Sequence, residues 1–251
     1  MTAKIDAIYR YPVKGLSPER LSAVELVVGQ TLPADRKYAI ENGPSGFDPA
    51  APSYFPKTRF LMLMKNERLA ELKTSYDDAT EVLTIRKDGK EVLRASLAGA
   101  EGRKAIEAFF KVFSASDLHG VPKVLAAPGH SFSDVSKKVV SIINLASVAE
   151  LEKATGRKIN PLRFRANLYI AGWPAWQEFE LLEKEVAVGK SARLKIVKRI
   201  VRCPATNVDP DTAARDMTIP DDLKKNFGHM DCGVYGEVIA GGSVTPGDTL
   251  I

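Results

Sequence analysis

Short apolar runs, each cut off early by glycine or proline, limit most strongly what this chain can fold into. Residues 5–11 and 23–28 are rich in β-branched and aromatic side chains and are bounded by Pro12, Gly15, Pro18 and Gly29, which predicts strands. Residues 37–41 and 60–65 continue the pattern. Between them, 42–56 carries Gly43, Pro44, Gly46, Pro49, Pro52 and Pro56, a loop by composition. Asp88-Gly89, set between the runs 82–87 and 91–95, predicts a hairpin because this pair accepts the positive φ angles of a two-residue turn. Ala105, Ile106, Phe109, Phe110 and Phe113 recur at helical spacing and predict a helix over 100–112.

A second half opens near Asp117. Strands are predicted over 123–127, 139–144, 163–171, 193–201, 233–240 and 248–251. Helices are predicted over 146–155, ending at Gly156, and over 220–226. Within 163–171 the alternation puts Phe164, Ala166, Leu168 and Ile170 on one face. Strands outnumber helices and follow one another too closely for regular βαβ units. The expected fold is mixed α/β and β-rich, with a barrel-like sheet in the second half.

At 251 residues and 45% apolar content the chain can bury a sizeable core. No apolar run approaches the roughly 20 residues of a membrane span. No basic-then-apolar leader opens the sequence, so a soluble, cytoplasmic protein without a membrane partner is expected. Cys203 and Cys232 are too few for a disulfide framework. With His119, His130 and His229 scattered, they also fail to make a four-ligand zinc site.

The net charge of +5 suits nucleic acid, an acidic protein or a phosphorylated small molecule. Only Lys190, Arg193, Lys195, Lys198, Arg199 and Arg202 are dense. They alternate with Leu194, Ile196, Val197 and Ile200, so the solvated face of a strand explains them as well as a site does. No glycine-rich nucleotide loop, nucleophile elbow or nucleic-acid motif is present, and nucleic acid is not expected as a partner.

Cys203 stands at the end of a predicted strand, beside Arg202 and close in sequence to Lys198 and Arg199. Cationic neighbours favour the thiolate, the form that ligates metals and attacks electrophiles. Pro204 has no N–H for the ladder and breaks the strand there, which sets Cys203 at a strand mouth. The same context also admits an inert packed thiol. Cys232, next to Gly233 in an apolar strand, reads as packing. The segment Asn207-Val208-Asp209-Pro210-Asp211-Thr212 lacks the glycine and glutamate of a calcium loop and reads as a turn.

Several fragments stand in order: 8–15 (Ile-Tyr-Arg-Tyr-Pro-Val-Lys-Gly), 35–40 (Asp-Arg-Lys-Tyr-Ala-Ile), 142–147 (Ile-Ile-Asn-Leu-Ala-Ser), 163–168 (Arg-Phe-Arg-Ala-Asn-Leu) and 244–248 (Val-Thr-Pro-Gly-Asp). They surround the most specific one, 203–212 (Cys-Pro-Ala-Thr-Asn-Val-Asp-Pro-Asp-Thr). Together they resemble the MOSC-domain family, in the architecture shared by mitochondrial amidoxime-reducing components and bacterial hydroxylaminopurine-detoxifying proteins. The resemblance implies an N-terminal β-barrel domain over 1–115 and a MOSC β-barrel with peripheral helices over 116–251.

It also implies a molybdenum–molybdopterin cofactor, with Cys203 as catalytic metal ligand. Lys14, Arg36, Arg165 and Arg202 are then cationic contacts, and Asn167 and the turn from Asn144 to Ser147 are neutral ones. Family members often carry serine where this chain has Gly15, so a contact there falls to the backbone. A small polar residue is also replaced by Val201. The implied reaction is reduction of N-hydroxylated or N-oxidised small molecules. No clustered cysteines extend the C-terminus, so electrons would come from a separate donor protein. A persulfide or cofactor carrier is the alternative the resemblance leaves open, and the family is also associated with pyridoxal phosphate binding.

Overall fold

The computed structural model describes residues 2–251. The chain opens with β1 (Ala3–Arg10), β2 (Glu19–Leu21), β3 (Val24–Leu26) and β4 (Ala39–Ile40). A meander follows, β5 (Lys73–Asp77), β6 (Val82–Lys87) and β7 (Lys90–Ser96), and then α1 (Ala100–Phe113). Next come β8 (Val124–Leu125), β9 (Val140–Asn144), α2 (Leu145–Thr155), β10 (Leu168–Ala171), β11 (Glu185–Val188) and β12 (Ala192–Val201). The chain ends with α3 (Ile219–Phe227), β13 (Asp231–Ala240), β14 (Gly242–Val244) and β15 (Thr249–Leu250). This is the mixed, strand-rich fold that the sequence pattern predicts.

One sheet runs β10-β9-β13-β12-β11-β15-β1, and β1 pairs again with β10, which closes a barrel; β2 extends β1. Alternation explains the closure. In β1, Ala3 and Ile5 point inward while Lys4 and Asp6 face water; in β12, Ala192, Leu194 and Ile196 do the same against Arg193. These side chains meet Val140, Ile142, Leu168, Ile170, Val234 and Val238 in one core. Full burial of each large aliphatic there contributes about 1.5–3 kcal/mol. β1 therefore completes a barrel built mostly from residues beyond 139, and β3 pairs with β14 in the same way.

A second core lies under the meander, α1 and the β4–β8 pair, and gathers Tyr38, Leu61, Leu83, Ile85, Ile106 and Phe110. The hairpin at Asp88-Gly89 forms as expected, with φ of 52° and 75°. Among the described residues, no helix is long and apolar enough to cross a membrane.

Two predicted strands change character. After a bridge from Glu41 to Phe60, residues 61–66 turn, because Asn66 Oδ1 accepts from Met62 N at 2.9 Å and Asn66 N donates to Met62 O at 2.9 Å. The segment 163–171 is a strand only from Leu168. Pro161 opens a 3-10 turn, Asn160 Oδ1 accepts from Leu162 N, and Arg165 adopts φ 52°. β5 and β11 were not expected: Lys-Thr-Ser-Tyr-Asp is too polar to signal a strand, and Glu-Val-Ala-Val is too short.

Candidate functional site

β12 ends where Pro204 opens a 3-10 turn (Pro204–Asn207), leaving Cys203 as its N-terminal cap. Thr206 holds the bend, donating from N at 3.0 Å and from Oγ1 at 2.9 Å to Cys203 O. The half-buried thiol opens into a cavity of about 280 Å³ lined from both halves of the chain. Eight basic residues contribute to this wall against two acidic ones, Asp35 and Asp134. So strong a bias in a partly enclosed space favours an anionic ligand.

The cation at the sulfur is Lys57, whose Nζ donates to Cys203 Sγ at 3.1 Å. Burial works against the Lys57 charge, but Asp134 and Cys203 draw its pKa above the ordinary lysine value. Asp134 also receives Lys14 Nζ, which donates to Phe132 O at 2.8 Å. Burial alone would raise Asp134; Lys14 and Lys57, with Arg36, hold it well below the usual carboxylate range. Lys14 itself is pushed down by burial, with Asp134 opposing.

Arg202, the cation expected beside the thiol, is turned away. Its Nε donates to Cys232 O at 2.7 Å and its Nη1 to Phe164 O at 2.9 Å, which braces the end of β12 to β13 and to the 161–164 turn. Of the dense basic run, Arg193 and Lys195 pair with Glu185 and Glu183 on the outer face, and Lys198, Arg199 and Arg202 reach the cavity wall. Arg36 binds Asp35 and donates Nη2 to Arg165 O at 2.9 Å. Arg165 and Lys198 have no carboxylate partner among the described residues.

Asn167 lines the same cavity, but its amide is occupied: Oδ1 accepts from Ser141 N and Oγ, and Nδ2 donates to Tyr9 O at 3.1 Å. It stitches β1, β9 and β10 together at the cavity wall. Asn144 and Ser147 are not at the cavity. Both are fully buried at the start of α2 and bind Glu178, with Asn144 Nδ2 at 2.9 Å and Ser147 Oγ at 2.8 Å. Asn144 Oδ1 also accepts from Ala146 N as the helix cap, so no side-chain polar atom of this turn is left for a ligand.

Asp209 Oδ1 accepts from Asp211 N and Thr212 N, which makes this segment the turn its composition predicts. Its Oδ2 receives Arg163 Nη2 at 2.7 Å. Cys232 is fully buried, and burial pushes its thiol up to about 12, as befits packing. No group of three or more His, Cys, Asp or Glu side chains among the described residues is placed to hold a metal ion.

The MOSC domain model matches residues 116–251, and the model for the MOSC N-terminal beta barrel domain matches 2–120. The chain belongs to the MOSC-domain family. This MOSC chain is similar to mitochondrial amidoxime-reducing component 1 of Mus musculus, 32% identical over 97 residues, which is 39% of this chain. The match spans only 27% of that relative's length. Among solved structures, the YUAD protein of Bacillus subtilis aligns over 100% of this chain and 94% of its own, at 14% identity and a TM-score of 0.46. YiiM from Geobacillus stearothermophilus aligns over 45% and 52%, at 18% identity and a TM-score of 0.36.

Gly15 lines the cavity with backbone alone. Its φ is +84°, and a Cβ there would lie 2.9 Å from Leu61 O. Gly15→Ser should therefore cost about 2 kcal/mol from the left-handed backbone alone, read by urea denaturation. Wild-type stability in that variant would mean that neither the positive φ nor the close approach to Leu61 O constrains this position.

Lys57 and Asp134 had no signal in the sequence. Lys57 reaches Cys203 from 146 residues away, out of a loop whose prolines mark only irregular backbone.

Proposed function

We propose that this protein holds a molybdenum–molybdopterin cofactor, with the Cys203 thiolate as ligand to the metal, and reduces N-hydroxylated or N-oxidised small molecules. One observation carries the reading. A half-buried cysteine thiol opens into a cavity whose wall holds Arg165 and Lys198 without carboxylate partners. A soft thiolate suits a molybdenum–sulfur centre. Guanidinium forks suit a phosphate, which is the anionic end of such a cofactor. The partial match to the mouse amidoxime-reducing protein supports the same reading.

When bound, the cofactor supplies a two-electron redox centre. The chain's own residues orient it: Cys203 fixes the metal end, and Arg165 and Lys198 offer charge to the phosphate. Arg202 and Asn167, in the wall itself, hold strands in place through backbone carbonyls and Ser141. Lys57, held by Asp134, keeps a positive charge beside the sulfur. The overall reaction would convert a hydroxylamine, two electrons and two protons into an amine and water. The electrons come from a separate acidic donor protein, steered by the basic rim.

Protein purified from a molybdenum-replete host should contain molybdenum and pterin in near-equal amounts with the chain. Metal-free protein that also cannot be loaded in vitro would overturn the reading. The placement of Lys57 on a half-buried thiol also suits a sulfur carrier. Mass spectrometry separates the two, because a Cys203 adduct one sulfur atom heavier, without molybdenum, belongs to the carrier.

A further inference from the structure

Arg36 and Arg165 come from separate segments and share one support. Both are non-glycine residues in the left-handed region, with φ of 51° and 52°. Backbones held there at a cost concentrate at binding sites. Their guanidinium carbons lie 4.6 Å and 4.2 Å from the centroid of the Tyr11 ring, within cation–π range. Tyr11 is fully buried. Its backbone ties the same knot: Tyr11 N donates to Asp35 Oδ1 at 2.8 Å, and Tyr11 O accepts from Arg36 N at 2.8 Å. Its hydroxyl lies 3.4 Å from that of Tyr169.

The two arginines differ in what they have to spare. Arg36 is committed to Asp35 and to Arg165 O. The Arg165 guanidinium has no hydrogen-bond or carboxylate partner among the described residues, yet it faces the cavity. Its location is set by the Tyr11 ring and by nothing else that bonds it. Donors left open against a cavity wall are satisfied by a ligand with acceptor oxygens.

We propose that Tyr11 is a positioning residue: its ring fixes the Arg165 guanidinium beside Arg36 so that the open donors of Arg165 meet a phosphate group. The proposal rests on the cofactor reading only for what carries that phosphate. A ring serves this purpose better than an aliphatic side chain, because the guanidinium plane stacks on it and keeps one orientation.

The full-length chain, produced in a host unable to make the pterin, is titrated with inorganic phosphate by calorimetry. Wild type should bind saturably. Tyr11→Phe keeps the ring and should retain the affinity. Tyr11→Leu and Arg165→Met should each weaken binding about tenfold, the equivalent of one charge-assisted hydrogen bond. The double variant should be no weaker than either single one, since both remove the same contact. Tyr11→Met carries the same expectation should Tyr11→Leu not fold.

Absence of saturable phosphate binding by wild type overturns the proposal. So does a Tyr11→Leu chain that is less stable yet binds phosphate normally, or one whose loss adds to that of Arg165→Met. Pterin content of wild type from a replete host is measured in parallel. Tyr11-dependent phosphate binding without pterin would sink the cofactor reading and leave this one standing. Pterin without any dependence on Tyr11 would do the reverse.

Discussion

Cys203→Ala protein from a molybdenum-replete host should carry no molybdenum above background and should fail to reduce a hydroxylamine. The expected loss exceeds about a hundredfold, because changes one shell further from a metal already cost 10–100-fold. Cys203 supplies the one thiol of the cavity wall; Cys232 is fully buried away from it, with its thiol pushed up to about 12. Cys232→Ala should therefore keep its metal. The fold should survive at Cys203, since the bend depends on Thr206 bonding to the backbone carbonyl and, among the described residues, the sulfur bonds only to Lys57. Stability within about 1 kcal/mol of wild type is the control. Full metal content in Cys203→Ala protein, measured by elemental analysis, would remove the cysteine from the ligand set.

How much of this site is legible in sequence depends on whether a residue acts through local or distant contacts. Cys203 is legible because Pro204 breaks the strand within one residue of it. The end of α2 at Gly156 and the Asp209 turn are legible for the same local reason. The cation that bonds the thiol, Lys57, carries no such local signal. Sequence adjacency favoured Arg202, but its side chain runs back to Cys232 O and Phe164 O, while Lys57 arrives from a loop in the other half.

Asn144 and Ser147 mislead in the opposite direction. Their motif position suggests ligand contact, yet the fold spends their polar atoms on Glu178, which no local pattern announces. The barrel closure shows the same limit. The alternation of β1 is readable, but two of its three partners, β10 and β15, come from beyond residue 167. The polar strand β5 is held by its place in the meander against β6, and its own composition hides it.

Glu178→Ala should be among the most damaging changes outside the cavity, lowering stability by about 3 kcal/mol. Glu178 is fully buried and has no cationic partner among the described residues; its carboxylate accepts from Asn144 Nδ2 at 2.9 Å and from Ser147 Oγ at 2.8 Å and 3.1 Å. Removing it orphans the Ser147 hydroxyl and part of the Asn144 amide, and leaves a void beside α2. Orphaned buried donors cost about 1–3 kcal/mol each. Against this stands the relief of a buried charge. Burial raises the Glu178 pKa above its ordinary value, with Asn144 and Ser147 opposing. The sign follows from linkage: a carboxyl whose folded pKa is raised contributes fully while protonated in both states, below its unfolded value, and that contribution is lost as pH rises through the folded value. Wild-type stability should therefore fall with rising pH across that window as far as this group is concerned. Glu178→Gln keeps an acceptor for Asn144, carries no charge, and should flatten that part of the profile while staying within about 1 kcal/mol of wild type at neutral pH. Urea denaturation of the three proteins on both sides of the window decides it. Equal stability of Glu178→Ala and wild type, or the same pH slope in wild type and Glu178→Gln, would show that this buried carboxylate is not what holds α2 to the 174–178 turn.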